Sequence, residues 1–228
     1  MPVYTLSASP GFPDPRHPDE EGLLAVGGDL SVRRLLNAYS LGIFPWYNED
    51  TPILWWSPPE RAILLPGDER FSRSTRKALE RRPFEIRMDT RFDDVVRHCA
   101  KAARPGQDGT WITEAIRSAY LDLHRAGFAH SFEAYRDGEL AGGLYGISLG
   151  AAFFGESMFS LESYASRAAF AALCRRAWGW GFQFIDGQVP NDNLQTLGAR
   201  VVGRDDFLRR LAQALEAPTR RGPWTAEA

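Results

Sequence analysis

The chain has 228 residues, of which 44% are hydrophobic and 25% charged, and its formal net charge is −2 at pH 7. A chain of this length forms one large domain or two small ones and buries a core without disulfides or metals. The slightly negative charge argues against a protein that coats nucleic acid, although it permits a local basic patch.

The first predicted elements are an irregular arm and one capped helix. Residues 1–20 are rich in proline and charge, which predicts irregular structure. The apolar run at 23–31 ends in a turn, where Ser31 is placed to cap a helix. That helix is predicted over 32–40, because Gly42 would stop it.

Two aromatic segments follow, at 42–47 and 53–58. A proline interrupts each segment, so we predict that neither forms a regular central strand. Aromatic side chains in loops form either a small covered core or a platform for a base or an apolar side chain. The sequence favours neither alternative.

A basic segment comes next, after a strand predicted at 62–65. Between residues 70 and 87 there are seven basic and two acidic residues, and the helix predicted at 72–80 carries several of them. Such a cluster either neutralises phosphates or forms a solvated helix face. The candidate phosphate contacts are Arg73, Arg76, Lys77, Arg81 and Arg82.

A domain boundary is predicted near the Arg82-Pro83 junction, which separates a small domain at 1–83 from a larger one at 84–228. The larger part alternates helices and strands, with a hairpin turn at Asp137-Gly138. This order fits an α+β sheet. The predicted strands are 84–88, 131–135, 139–149, 151–156 and 182–185, and the predicted helices are 92–103, 113–124, 165–178, 192–197 and 205–215.

Two carboxylates, Glu156 and Asp186, lie where apolar strands give way to small residues. A carboxylate in that setting is costly unless it has a partner or a task. Asp186 and Gln188 are two residues apart, so in an extended chain they project from the same face. The pair either orients an amine nucleophile or simply ends a strand in a turn.

Metal sites, disulfides and membrane segments are not predicted. Cys99 and Cys174 are far apart and have no neighbours at metal-ligand spacing, which favours buried thiols in a reducing compartment. The four histidines show no ligand spacing either. We find no signal-peptide pattern and no apolar run near the ~20 residues that cross a bilayer, so we expect a cytoplasmic protein.

Eight motifs occur in one order along the chain. Together they resemble the bacterial leucyl/phenylalanyl-tRNA–protein transferases, from about residue 22 to about residue 210. The motifs are LAVGGDL at 24–30, GIFPW at 42–46, LWWSP at 54–58, GTWIT at 109–113, GGLYG at 142–146, GESMFS at 155–160, IDGQV at 185–189 and LGA at 197–199.

The resemblance implies a fold and a reaction. It implies a small N-terminal domain followed by an acetyltransferase-like (GNAT-like) domain with a mixed, largely antiparallel sheet flanked by helices. It implies an enzyme that moves Leu or Phe, and Met less well, from aminoacyl-tRNA to the N-terminal Arg or Lys of a protein in the N-degron pathway. The enzyme would need no cofactor or metal and would act as a monomer.

The resemblance also assigns roles. It makes Asp186 and Gln188 catalytic. Because an Asp is too weak a base for an ammonium, we expect Asp186 to bond Gln188 and polarise its amide. A proton shuttle through the tRNA ribose is an equally good account. Glu156 meets the acceptor's positive side chain or pairs with Arg167, and Asn191 holds a reacting group or caps the next helix.

The donor side chain requires an apolar pocket, in which a flexible Met158 would adapt to either Leu or Phe. Phe170 and Cys174 stand four apart on one helix face, where core packing is the common reason for such a pair. The candidate lining is Trp46, Trp111, Leu144, Met158, Phe170, Cys174 and Ile185.

Three residues depart from the usual family pattern, which has Lys at Arg167, His at Asn193 and Ser at Thr196. Asn193 removes a group that titrates near neutrality, which counts against any mechanism that needs an imidazole there. Two other functions are alternatives: a binding module without turnover, against which Asp186, Gln188 and Glu156 argue, and an acyl-CoA transferase. The latter needs a glycine-rich pyrophosphate loop, which the chain lacks before its helix at 165–178.

Overall fold

The computed structural model describes residues 3–102 and 110–225, and within them the chain forms eleven strands and seven helices. The strands are β1 (Tyr4–Leu6), β2 (Leu23–Gly27), β3 (Phe44–Pro45), β4 (Leu54–Trp56), β5 (Glu60–Leu64), β6 (Glu85–Met88), β7 (Ala129–Arg136), β8 (Glu139–Leu149), β9 (Ala152–Ser160), β10 (Phe184–Asp186) and β11 (Arg200–Gly203). The helices are α1 (Val32–Ser40), α2 (Arg73–Arg81), α3 (Phe92–Lys101), α4 (Glu114–Arg125), α5 (Ala165–Gly179), α6 (Asp192–Thr196) and α7 (Arg204–Ala214).

The N-terminal part forms a four-stranded sheet in the order β1-β2-β4-β3. β1 pairs in parallel with β2, so the prediction of an irregular arm is wrong at that strand. The prediction for the aromatic segments is wrong for β4, which lies between β2 and β3. Pro58 comes after the end of β4, so the missing N–H of proline removes no hydrogen bond from that strand. Pro45 lies in the edge strand β3, where a proline is tolerated.

Local capping signals place the helices where the sequence predicts them. The Ser31 hydroxyl accepts from the Arg34 N–H at the start of α1, and Thr113 caps α4 in the same way. Gly42 follows α1 with φ +72°, and a Cβ there would lie 2.7 Å from the Phe207 ring. Glycine at this turn therefore lets α1 pack closely against α7.

The larger sheet has seven strands in the order β11-β5-β10-β9-β8-β7-β6. Only the β9 and β10 pair is parallel among them, which confirms the expected α+β class with a mixed, largely antiparallel sheet. The β7 and β8 hairpin turns at Asp137 (φ 52°) and Gly138 (φ 84°), as predicted. β9 is longer than predicted, and β11 was missed.

β5 belongs to the larger sheet, where it pairs with β10 and β11. The two sheets therefore separate between β4 and β5. The predicted domain boundary near residue 83 stays a prediction, because membership of a sheet does not by itself define a domain.

The arrangement of β9 and β10 positions the site. Their pairing ends at Phe154 and Asp186, after which β9 continues without β10 as far as Ser160. Separation of two parallel strands opens a gap in the sheet, which α5 and α6 border. Residues 155–158 line one side of this gap and residues 185–187 line the other.

Candidate active site

A cavity of about 530 Å³ lies where β9 and β10 separate. Its apolar wall is formed by five side chains that the sequence predicted for the donor pocket, and its polar side holds both predicted carboxylates. The five residues of the apolar wall are Trp111, Leu144, Met158, Phe170 and Ile185.

Glu156 is held by three neutral donors. Its Oε1 accepts from the Tyr39 hydroxyl at 2.7 Å and from the Gln188 amide at 2.8 Å, and its Oε2 accepts from the Tyr120 hydroxyl at 2.9 Å. Burial raises the pKa of Glu156 to about 7, although these hydrogen bonds oppose the shift. The carboxyl group is therefore poised to change charge near neutral pH.

The alternative that Glu156 pairs with Arg167 is wrong. The Arg167 guanidinium donates instead to Oδ1 of Asn193, at 2.6 Å. Asn193 lines the cavity in its own right. Among the described residues, none of the hydrogen-bond donors to Glu156 carries a positive charge.

Asp186 is completely buried and forms an ion pair with Arg61 on β5. Nε of Arg61 donates to Oδ1 of Asp186 at 3.3 Å, and Nη2 donates to Oδ2. The backbone N–H of Gln188 donates to the same Oδ1 at 2.8 Å. Both oxygens of the Asp186 carboxylate therefore already accept strong hydrogen bonds from within the protein.

The prediction that Asp186 bonds the Gln188 side chain is wrong, because the backbone is not extended at Gln188. Gln188 has φ +63°, in the left-handed region that non-glycine residues seldom adopt. The turn points the Gln188 amide at Glu156 instead. Asp186, Gln188 and Glu156 thus form one connected chain, called here the acid–amide network.

Asn191 serves as a helix cap, one of its two predicted alternatives. Its Oδ1 accepts from the Leu194 N–H at 3.0 Å, at the start of α6. The same residue lines the cavity. Capping therefore occupies the side-chain oxygen and holds α6 against the site.

Two predicted pocket residues lie outside the cavity lining. Trp46 is 40% exposed and packs against Trp56, with ring centroids 5.9 Å apart. Cys174 is buried in the core one helical turn beyond Phe170, and burial raises the pKa of its thiol. The predicted alternative of core packing is therefore the correct one for Cys174.

Several residues of the site were not predicted. Tyr39 and Tyr120 lie on α1 and α4; a buried tyrosine hydroxyl needs a partner, and both find Glu156. Arg61 lies in β5, one residue before the strand that was predicted at 62–65. The other lining residues missing from the predicted site are Tyr145, Gly155, Ser157, Leu173, Gly187, Asn193 and Leu194.

The predicted basic face lies on α2, and the segment just before this helix contacts the cavity wall. Phe71 precedes this helix and contacts Phe170 of the apolar wall, with ring centroids 6.2 Å apart. Arg82 pairs with Asp137 at 3.0 Å. No carboxylate of the described residues lies within 4.0 Å of the charged atoms of the other four. All five predicted contacts are exposed, namely Arg73, Arg76, Lys77, Arg81 and Arg82.

The described parts of the chain contain no candidate metal site and no candidate membrane-spanning helix. No group of three or more His, Cys, Asp or Glu side chains is placed to hold a metal ion there. No described helix is long and apolar enough to span a bilayer.

Comparisons with known proteins show that the chain carrying this cavity, its acid–amide network and the exposed basic helix is an aminoacyltransferase. The family model described as "Leucyl/phenylalanyl-tRNA protein transferase N-terminal domain" matches residues 28–59, and the model described as "Leucyl/phenylalanyl-tRNA protein transferase" matches residues 63–212. The chain belongs to the leucyl/phenylalanyl-tRNA–protein transferase family, as the motifs predicted.

Two relatives carry that family name over nearly their whole length. The leucyl/phenylalanyl-tRNA–protein transferase of Myxococcus xanthus (strain DK1622) is 54% identical over 227 residues, covering 99% of this chain and 97% of the relative. The corresponding protein of Desulfatibacillum aliphaticivorans is 54% identical over 227 residues, covering 100% of this chain and 97% of the relative.

Proposed function

We propose that this enzyme transfers Leu or Phe, and Met less well, from aminoacyl-tRNA to the α-amino group of proteins that begin with Arg or Lys. The new peptide bond would mark the acceptor for degradation by the N-degron pathway. The observation that carries the proposal is the position of Glu156, whose carboxyl group lies at the cavity beside an apolar wall. We also expect a monomer that acts in the cytoplasm.

The acceptor is the partner that Glu156 would bind. A protein with N-terminal Arg or Lys brings a cationic side chain and an α-ammonium group to the site. When Glu156 is ionised, its neutral donors leave its charge unbalanced and available to such a cation, whereas Asp186 is neutralised by Arg61. Cation binding would also lower the pKa of Glu156 from about 7 and favour its charged form.

The donor brings a reactive ester to the apolar wall. The α-amine attacks the ester carbonyl, the amide C–N bond forms, and the C–O bond to the ribose breaks. The amine loses one proton, and the ribose oxygen gains one. Because the ester is already activated, alignment of the two reactants and removal of this proton are the main tasks. Glu156 and the tRNA ribose are alternative routes for the proton.

A direct transfer assay tests the proposal. The protein is incubated with radiolabelled Phe-tRNA and a substrate with N-terminal Arg, and label is measured in the protein fraction. Matched substrates begin with Asp or carry an acetylated N-terminus, and deacylated tRNA serves as a donor control. We expect label only with the free N-terminal Arg or Lys. Equal labelling of the Asp substrate would contradict the proposed acceptor.

A further inference from the structure

Arg61 is a buried cation in the strand that joins the two parts of the chain. Its side chain is 2% exposed, and it lies between the segments matched by the two family models, 28–59 and 63–212. Its guanidinium stacks over the rings of Phe207 and Phe44, with its Cζ 4.2 and 4.9 Å from their centroids. Substrate cannot reach a group enclosed in this way.

Each guanidinium nitrogen of Arg61 has a partner. Nε and Nη2 donate to the Asp186 carboxylate, and Nη1 donates to the Gly42 carbonyl at 2.7 Å. The planar fork of an arginine suits this bidentate contact, which a lysine cannot reproduce. Gly42 follows α1, the helix that carries Tyr39. Arg61 thus links the segment after Tyr39 to the end of β10.

The residue beside Arg61 holds the backbone of the same turn. The Ala62 N–H donates to the Gln188 carbonyl at 2.9 Å, and the Gly187 N–H donates to the Ala62 carbonyl at 2.7 Å. Asp186 Oδ1 accepts from the Gln188 N–H as well as from Arg61. A left-handed Gln188 persists only where its surroundings determine it, and these bonds supply that constraint.

We infer that Arg61 is a positioning residue, which acts through Asp186 to keep the Gln188 amide on Glu156. The inference rests on the proposed function. In this arrangement Asp186 anchors the turn and does not serve as the base. Through its bond to the Gly42 carbonyl, the same guanidinium also fixes the position of the segment that follows Tyr39. Two of the three donors to Glu156, Gln188 and Tyr39, therefore depend on Arg61.

The test compares Arg61→Met, Asp186→Asn and the double variant in the transfer assay. We expect Arg61→Met to lower kcat by about 100-fold, a typical cost of misplacing a reacting group, while KM for aminoacyl-tRNA changes by less than about threefold. Because both residues act through one turn, the double variant should be no slower than the slower single variant. Losses that multiply would overturn the inference.

Two further variants separate positioning from folding. A lone Met at position 61 leaves a buried carboxylate unpaired and risks unfolding, whereas the double variant removes both charges. Arg61→Lys keeps the charge, so thermal melts should recover while kcat stays low, because one ammonium cannot hold Asp186 and the Gly42 carbonyl together. Full kcat in Arg61→Lys would overturn the inference.

Arg200→Met provides the matched control. Arg200 lies on β11, beside β5, and its exposed side chain pairs with the largely buried Asp68, with 2.5 Å between Nε and Oδ2. We expect its kcat to stay within about twofold of wild type, since neither residue lines the cavity. Wild-type protein that transfers nothing would refute the proposed function. Active wild-type protein with equally active Arg61→Met would refute only the role of Arg61.

Discussion

The acid–amide network and the apolar wall face the same cavity but are held by different forces. Both carboxylates of the network have defined donors, which include the Gln188 amide for Glu156 and Arg61 for Asp186. The apolar wall is held by packing, which tolerates changes of shape at modest cost. We therefore expect substitutions in the network to abolish turnover and substitutions in the wall to alter the choice of donor.

The network itself contains two unlike carboxylates. Asp186 is completely buried against a guanidinium, which balances its charge. Glu156 has only neutral donors, and its pKa is raised to about 7 by burial. Carboxylates whose surroundings separate their charge behaviour in this way serve different tasks. We propose that Asp186 fixes geometry and that Glu156 meets charge that arrives with the substrate.

The largest effect is expected for Asp186→Ala. It leaves the Arg61 guanidinium buried without its carboxylate, which costs about 3–5 kcal/mol of stability, and it frees the Gln188 turn. We expect kcat to fall by about 100-fold or more in the protein that remains folded. Asp186→Asn is the control of equal volume and should lose less stability. A kcat within about threefold of wild type in Asp186→Ala would contradict this role.

Glu156→Gln should separate stability from activity. The folded pKa of Glu156 is raised from 4.5 to about 7, so the folded state binds an extra proton between these values. Wild-type stability therefore falls as pH rises through that window, and an amide avoids this loss. At pH 8 we expect Glu156→Gln to be more stable by about 2 kcal/mol, measured by urea unfolding.

For activity we expect the opposite result, namely that the charged form of Glu156 is the favourable one. Wild-type kcat/KM should rise with pH through about 7, as Glu156 gains its charge, and this step should vanish in Glu156→Gln. The measurement is a pH profile with an N-terminal Arg substrate. The values pH 6 and pH 8 bracket the expected pKa. A wild-type profile that is flat between them would show that ionisation of Glu156 does not control kcat/KM.

Much of the fold was predictable because its signals are local. Ser31, Thr113 and the Asp137-Gly138 turn each act within a few residues, and the structure confirms all three. β1 was missed because its pairing with β2 depends on a partner about twenty residues away, which composition does not reveal. Tertiary pairing likewise determines β11 on the sheet edge.

The site divides in the same way. Residue type was enough to predict Met158 and Ile185, because an apolar pocket needs apolar side chains. The partners of the carboxylates were not predictable, since Arg61 lies 125 residues from Asp186 and Tyr39 lies 117 residues from Glu156. The left-handed Gln188 reversed the expected side-chain direction, because the alternation rule assumes extended backbone.

Charge reversal on α2 should leave both the network and the wall intact. We expect Arg76→Glu with Arg81→Glu to weaken tRNA binding and flatten its salt dependence, because each lost phosphate contact reduces counterion release. Transfer from a minimal donor such as aminoacyl-adenosine should change little. The control reverses two exposed arginines elsewhere, Arg33 and Arg209. An unchanged salt slope in the α2 variant would identify a merely solvated face.

The smallest effect is expected for Met158→Ala in the apolar wall. Met158 lies across the cavity opening from Ile185, on the other strand of the gap. If these two side chains crowd the Cβ position of the donor, the site accepts Leu and Phe and rejects Val and Ile. Steric rejection exceeds the ~1–3 kcal/mol that one methylene supplies, because a tight wall also penalises excess volume.

Removing the Met158 side chain should relax that rejection. We expect Ile transfer to rise relative to Leu transfer, while Leu transfer itself falls somewhat through lost contact area. Ile-tRNA and Leu-tRNA with different labels compete in one reaction, with mutant and wild type measured side by side. Cys174→Ala is the control, because that thiol is buried behind the wall and does not line the cavity. An Ile-to-Leu ratio that changes equally in both variants would place Met158 in the core. The apolar wall would then not determine the choice of donor, and only the role of the acid–amide network in turnover would remain.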